Sequence, residues 1–307
     1  MLTRKNKLFF KKIASFFSVI RGYNIVVLAL SQYLAAIFIL APKTERALHV
    51  ILDVNLFILV LATSISVAGG YIINNFYDSK KDLINRPRKS MIDRLVSQAT
   101  KLKVYFAINF LAVVLASIVS AKAALFYSVY IFLLWFYSHK VKRYAFLGNI
   151  MAALLSILPF FGILMYYKVF GPYVFVHAFF LYLLLLLKEI TKDLENLAGD
   201  LAENYQTLPV KYGENFTKYI LLAIVFLIII PVYLLINYAK IGQMQFYFYG
   251  ALFLLLVFLL LLFKANKKYN YVQLHFLIKI ILVLGVISIV LIEPEIVIHG
   301  KKIISTY

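Results

Sequence analysis

The chain has 307 residues, of which 64% are hydrophobic and 15% charged, with 32 Lys and Arg against 13 Asp and Glu. A soluble protein of this length needs a more polar surface, so the composition excludes a water-soluble fold and makes lipid the solvent. The formal charge of +19 does not describe a nucleic-acid binder, because the basic residues sit in short connections between apolar runs, the pattern of topology signals and anionic-lipid contacts.

Residues 1–20 form a basic segment. The apolar run after it is too long for a signal peptide and lacks a small-residue cleavage site, so it is the first span. Crossing a hydrocarbon core takes about 20 residues. Runs of that kind lie at 22–41, 51–75, 103–120, 122–138, 145–167, 171–190, 217–238, 246–263 and 273–292. The expected fold is an all-α polytopic membrane protein of about nine helices, one domain over 1–307, because helices satisfy their own backbone hydrogen bonds in lipid. With the N-terminus cytoplasmic and the C-terminus outside, the cytoplasmic segments hold 24 of the 32 Lys and Arg. These include Lys5, Lys7, Lys11, Lys12, the cluster from Lys80 to Lys103, Lys140, Lys142 and Arg143. Seven fall outside, among them Lys43, Arg46, Lys122, Lys168 and Lys240. Lys279, in the last span, reads as a snorkelling side chain or an interhelical hydrogen bond. The absence of cysteine removes disulfides and thiolate sites. The five histidines, His49, His139, His177, His275 and His299, are too scattered to ligate zinc or haem. No organelle-targeting signal is evident, so the expected setting is a bacterial inner membrane.

Nine of the thirteen acidic residues fall in two cytoplasmic segments, after spans two and six. In the first, Asn74, Asp78 and Asp82 recur at i, i+4 and i+8, one helical face. Stacked like charges repel, so a cation belongs among them. Carboxylate and amide oxygens in a row suit a hard ion such as Mg²⁺, shared with substrate phosphates. Gly69 and Gly70, a turn away, permit close approach of a helix or ligand. In the second segment, Glu189, Asp193, Asn196 and Asp200 share a face, while Glu195 and Glu203 point elsewhere, toward water. Two such faces at one membrane surface can hold two metal ions around a diphosphate. Arg86, Arg88, Lys89, Lys140, Lys142, Arg143, Lys188 and Lys192 surround them. Most serve topology and lipid, and one or two suit phosphate oxygens.

These residues resemble the signatures of the UbiA-type intramembrane prenyltransferases. Asn74, Asp78 and Asp82 followed by Asn85-Arg86-Pro87 is similar to the first signature. The stretch from Lys192 to Asp200, with Thr207-Leu208-Pro209-Val210 after it, is similar to the second. Weaker matches are Arg21 and Asn24, with Gly22 in place of a proline, and Tyr137-Ser138, Lys142 and Gly148-Asn149. Two departures are Asn196, where the family usually has Asp, and Asn204, where it often has Gly. The resemblance implies a polyprenyl diphosphate with its tail between helices and Mg²⁺ held by Asn74, Asp78, Asp82, Asn196 and Asp200, with Asp193 supplementing the second set. It makes Asp78, Asp82 and Asp200 the catalytic acids and puts the face of Tyr137 beside the allylic cation. Arg86, Lys142, Lys188, Arg21 and Asn24 become the diphosphate contacts. The second signature looks most like the branch that alkylates geranylgeranylglyceryl phosphate, a lipophilic acceptor. Aromatic acceptors of quinone synthesis, 4-hydroxybenzoate or dihydroxynaphthoate, are the alternative.

Two other classes compete. A cation-coupled transporter should carry charge near mid-membrane on interrupted helices, whereas these acids cluster at one face. A phosphatidyl transferase requires an Asp-Gly pair ahead of its aspartates, which this chain lacks.

Overall fold

The computed structural model describes residues 4–41, 47–239 and 241–298; Lys43, Arg46, Lys240 and His299 lie outside the described residues. In chain order the helices are α1 (Arg4–Val19), α2 (Gly22–Ala35), α3 (Ala47–Leu52), α4 (Val54–Tyr77), α5 (Ser79–Asn85), α6 (Pro87–Asp93), α7 (Gln98–Val119) and α8 (Ala121–His139). They continue as α9 (Leu147–Tyr167), α10 (Pro172–Glu195), α11 (Leu197–Ala202), α12 (Leu208–Tyr212), α13 (Glu214–Tyr238), α14 (Gln245–Lys264), α15 (Lys268–Ser288) and α16 (Glu295–Ile298). Among the described residues, nine helices are long and apolar enough to cross a membrane: α2 together with the π-helical turn Ala36–Leu40 that continues it, α4, α7, α8, α9, α10, α13, α14 and α15. The chain is therefore an all-α polytopic membrane protein. Several spans run further than their apolar cores. α4 reaches Tyr77, α10 reaches Glu195 and α15 starts at Lys268. Hydropathy marks depth in the bilayer, whereas the hydrogen-bonded helix continues into the polar residues of the site.

The spans form a ring. α4 packs on α2, α7, α8 and α9; α10 packs on α9, α13 and α15; and α15 closes back onto α2. One apolar core lies among α10, α13, α14 and α15, another among α4, α7, α8 and α9. Large apolar side chains such as Phe106, Phe110 and Leu260 stay exposed on the outer surface, where lipid is their partner. Several polar groups at this depth are paired across helices. Pro159 has no N–H for the Leu155 carbonyl, and Tyr130 donates its hydroxyl to that oxygen instead, at 3.1 Å. Gln32 donates to Pro159 O at 3.1 Å, and Tyr127 donates to Leu59 O at 2.9 Å.

Gly69 and Gly70 serve helix approach. A Cβ at Gly69 would sit 2.5 Å from Asn109 Oδ1 on α7, and one at Gly70 would sit 3.2 Å from Leu134 on α8. Gly69→Leu should therefore push α4 off α7 at a cost of about 1–3 kcal/mol. The check is a lower melting temperature in detergent than that of the native chain.

The basic N-terminal segment is helix α1, and it docks on α6. Ser15 Oγ donates to Ile92 O and Ser18 Oγ to Asp93 Oδ1, each at 2.7 Å. Asp93 also accepts from Lys89 Nζ at 2.7 Å and from Asn75 Nδ2 at 3.1 Å. Asn75 Oδ1 in turn accepts from the buried Lys101 at 2.8 Å. This polar network fixes the loop that carries the first acidic segment onto the bundle.

Candidate active site

The first acidic face is preserved through a break in the helix. α4 ends at Tyr77, and Asp78 (φ −88°, ψ 4°) begins a new axis for α5. The i to i+4 bonds nevertheless run on, with Asp78 N to Asn74 O at 2.9 Å and Asp82 N to Asp78 O at 2.8 Å. The second segment behaves alike. α10 ends at Glu195, Asn196 (φ −100°, ψ 8°) turns the chain, and Asp200 N still bonds Asn196 O at 3.1 Å. Asn85 ties the two breaks together. Its Nδ2 donates to Asn196 O at 3.2 Å, and its Oδ1 accepts from Gly199 N at 3.1 Å. Only glycine fits there, because a Cβ on residue 199 would collide with the Asn85 amide. Lys268 at the start of α15 donates to Asn85 O at 2.7 Å, which anchors the last span to the same knot.

The two acidic segments converge on lysines. Lys142 Nζ lies 2.7 Å from Asp78 Oδ1 and donates to Asn74 Oδ1 at 3.1 Å. Lys81 Nζ lies 3.8 Å from Asp78 Oδ1 and 3.0 Å from Asp200 Oδ1, so it spans both segments. Tyr205 donates its hydroxyl to Asp78 Oδ1 at 3.0 Å, and Thr207 donates to Asp200 Oδ2 at 3.3 Å. Asn149, on α9, donates to Asp193 Oδ2 at 2.7 Å. Burial alone would raise the pKa of Asp78, but Lys142, Lys81 and the Tyr205 hydroxyl overcome it and hold the carboxyl far below the usual range. Burial likewise opposes the charge on Lys81, and the flanking Asp78 and Asp200 carboxylates more than offset it, keeping the ammonium protonated. Asp82 goes the other way. Burial and the neighbouring Asp78 raise its pKa against Arg86, Lys81 and Arg21. Asp200 is also raised, chiefly by burial, despite the Lys81 ammonium.

The residues suit a hard cation. Asn74, Asp78, Asp82, Asp193, Asn196 and Asp200 offer only oxygen, the donor set that Mg²⁺ and Ca²⁺ take. Among the described residues Asp82 makes no side-chain hydrogen bond or ion pair, and Asp200 Oδ1 is buried with no hydrogen bond. Both are anionic oxygens left without a full partner set. No three carboxylate or histidine side chains converge among the described residues, so amide oxygens and substrate phosphates would complete any metal shell.

The remaining sequence candidates are placed as follows. Arg21, in a left-handed backbone conformation (φ 51°) at the start of α2, lies 5.0 Å over the Tyr71 ring, and Asn24 donates to the same tyrosine's hydroxyl at 3.3 Å. Tyr137 is half-buried, within electrostatic reach of Glu189, Asp193 and Asp78. Lys188 pairs with Glu189 Oε1 at 3.1 Å and Lys192 with its Oε2 at 2.5 Å. Asn204 adopts φ 55°, the left-handed turn that glycine would otherwise supply.

One expectation is corrected. Glu195 does not face water: it is 8% exposed and accepts from Arg86 Nη2 at 2.8 Å and from His275 Nδ1 at 2.5 Å. The break at Asn196 and the neighbouring α15 give it partners that a single helical wheel does not contain. Of the two readings of Lys279, the interhelical hydrogen bond is not made among the described residues and the snorkelling side chain stands; the residue sits one turn past His275 on α15. Lys81 and Tyr205 were not singled out from the sequence. For Lys81 the signal was present, because a residue three positions past Asp78 shares its face. Arg86 owes its position to Glu195. Glu195→Ala should cost about 3 kcal/mol in stability, the price of breaking a buried pair. It should also raise the KM for an anionic substrate more than it lowers kcat, which kinetics beside a thermal melt would resolve.

Comparison with known proteins bears on the family and the fold. A family model described as the UbiA prenyltransferase family matches residues 29–289. The digeranylgeranylglyceryl phosphate synthase of Sulfurisphaera tokodaii is 24% identical over 280 residues, covering 88% of this chain and 96% of its own. That of Sulfolobus acidocaldarius is 28% identical over 267 residues, covering 83% and 90%. Among solved structures, a digeranylgeranylglyceryl phosphate synthase superposes with a TM-score of 0.68 at 21% identity, over 91% of this chain and 97% of that one. A UbiA homolog from Archaeoglobus fulgidus bound to GPP and Mg2+ superposes with a TM-score of 0.66 at 14% identity, over 90% and 99%. The structural likenesses are of fold, and with the family match over most of the chain they lead to one conclusion: this protein belongs to the UbiA prenyltransferase family and is a membrane-embedded prenyltransferase.

Proposed function

We propose that the chain, acting as one membrane domain, moves a polyprenyl group from its diphosphate to geranylgeranylglyceryl phosphate. The observation that carries this is the meeting of Asp78 and Asp200, from two distant segments, across one lysine at the end of the bundle. Such a cluster of oxygens and ammonium groups suits a diphosphate head with a hydrocarbon tail lying between the spans. Asn74, Asp78, Asp82, Asp193, Asn196 and Asp200 would hold Mg²⁺, which when bound supplies neutralisation of the leaving diphosphate. Lys142 and Arg86 contact its oxygens, the first as a point charge and the second as a fork held by Glu195. Lys188, Arg21 and Asn24 extend the same anion-binding rim. The bond from C1 of the prenyl chain to the diphosphate oxygen breaks, its electron pair leaves with the diphosphate, and the acceptor's hydroxyl oxygen bonds to C1 while its proton passes to the departing diphosphate. Tyr137 presents an aromatic face to the positive charge that develops on the allyl group.

The acceptor assignment is supported by the second signature and by the relatives' names. The basic residues on the loops beside the site support a cytoplasmic position for it and for the N-terminus. The relatives named above are archaeal, and the setting is a prokaryotic cell membrane. The test offers labelled geranylgeranyl diphosphate with Mg²⁺ to membranes, in parallel with geranylgeranylglyceryl phosphate, 4-hydroxybenzoate and dihydroxynaphthoate. A labelled ether lipid supports the proposal, and a labelled aromatic product overturns the acceptor while keeping the chemistry.

A further inference from the structure

Lys81 differs from the other cations of the site in what encloses it. It stands on α5, three residues past Asp78, and its ammonium lies 3.0 Å from Asp200 Oδ1 and 3.8 Å from Asp78 Oδ1. The Tyr205 ring closes a third side, with its centroid 4.3 Å from Nζ. Only 14% of the side chain is exposed. Asp200 Oδ1 has no hydrogen bond, so this ammonium is its one ionic partner among the described residues. Lys142 differs, because it reaches the site from the α8–α9 connection and holds Asn74 and Asp78 of the first segment alone.

We infer that Lys81 is a resident cation filling the position between Asp78 and Asp200, so that the site takes one divalent cation with the diphosphate rather than two. This rests on the prenyl-diphosphate reading above. A divalent ion bridging the same two carboxylates would touch the lysine ammonium, and like charges in a water-poor pocket repel strongly. The second segment is already short of charge at that point, since Asn196 brings an amide where a carboxylate would strengthen a metal shell. Of the other carboxylate oxygens, those of Asp193 in the second segment already take the Asn149 amide, whereas those of Asp82 in the first have no ion pair or side-chain hydrogen bond among the described residues. One ion held there and by the diphosphate satisfies them.

The experiment counts metal. Purified protein in nanodiscs is dialysed against Mn²⁺ with geranylgeranyl thiodiphosphate, a donor whose sulfur-linked group transfers poorly, and bound Mn²⁺ is measured per chain and by electron paramagnetic resonance. The expected result is one isolated Mn²⁺ in the native protein. Lys81→Met, which removes the charge at similar length, should bind two, and Lys81→Arg should keep one. Two ions in the native protein overturn the inference and leave prenyl transfer standing. One ion in a folded Lys81→Met overturns it as well, because the lysine is then not what excludes the second. Thiodiphosphate bound with no Mn²⁺ overturns the metal-dependent reading itself. The native count decides the matter even if Lys81→Met does not fold.

Discussion

Asp78→Ala should reduce prenyl transfer about 10³-fold in a protein that still inserts and purifies as a monodisperse species. Asp78 is where the site's charges meet: Lys142 at 2.7 Å, Lys81 at 3.8 Å and the Tyr205 hydroxyl at 3.0 Å all address its Oδ1. Removing one partner of a buried pair costs about 3–5 kcal/mol because the other charge is left unpaired. At about 1.4 kcal/mol per tenfold, that range corresponds to about two to three and a half orders of magnitude if it is expressed at the transition state. Here two ammonium groups would lose their counter-ion and move toward Asp82 and Asp200, displacing the donor head. Asp78→Asn keeps the shape and one acceptor oxygen but loses the charge, so its loss should be smaller, about 10²-fold. Transfer of labelled prenyl groups in nanodiscs, normalised to folded protein by size-exclusion chromatography, gives both numbers.

Chelation should have an effect of similar size. With EDTA, transfer should fall by about 10²-fold or more, since a bound ion supplies several kcal/mol of charge stabilisation to a departing diphosphate. Mg²⁺ should restore it. The donor set contains no sulfur and no imidazole, so a zinc-selective chelator should leave the rate unchanged. Transfer that persisted in EDTA would mean that Lys142, Lys81 and Arg86 neutralise the diphosphate unaided.

The fold was legible because lipid leaves a helical chain few choices. Each run of about 20 apolar residues has to be a helix, and the nine runs from 22 to 292 correspond to the nine spans. The faces of the acidic segments were legible because backbone bonds such as Asp82 N to Asp78 O carry the helical register through the breaks at Asp78 and Asn196. Local turn chemistry was legible too, as Asn204 at φ 55° illustrates. Long-range pairing was not. Glu195 looked solvated because its partners, Arg86 and His275, are 109 and 80 residues away in the chain. A helical wheel reports which way a side chain points on its own helix and says nothing of what stands opposite. Tyr205 illustrates the same limit: it reaches Asp78 across 127 residues from a turn with no periodicity of its own. Asn85, which bolts the two acidic segments together, stood in the sequence as part of a signature, but its amide's partners, Asn196 O and Gly199 N, appear only in three dimensions.

If the two acidic segments form one site, a double-mutant cycle on Asp78 and Asp200 will show it. Rates of labelled geranylgeranyl transfer would be measured for the native chain, Asp78→Ala, Asp200→Ala and the double variant, all in nanodiscs and all checked for folding. Residues acting as a unit are strongly non-additive. Each single change should cost about 10²–10³-fold, and the double variant should be hardly worse than either alone. Full activity in both single variants, or losses that multiply in the double, would contradict a single site.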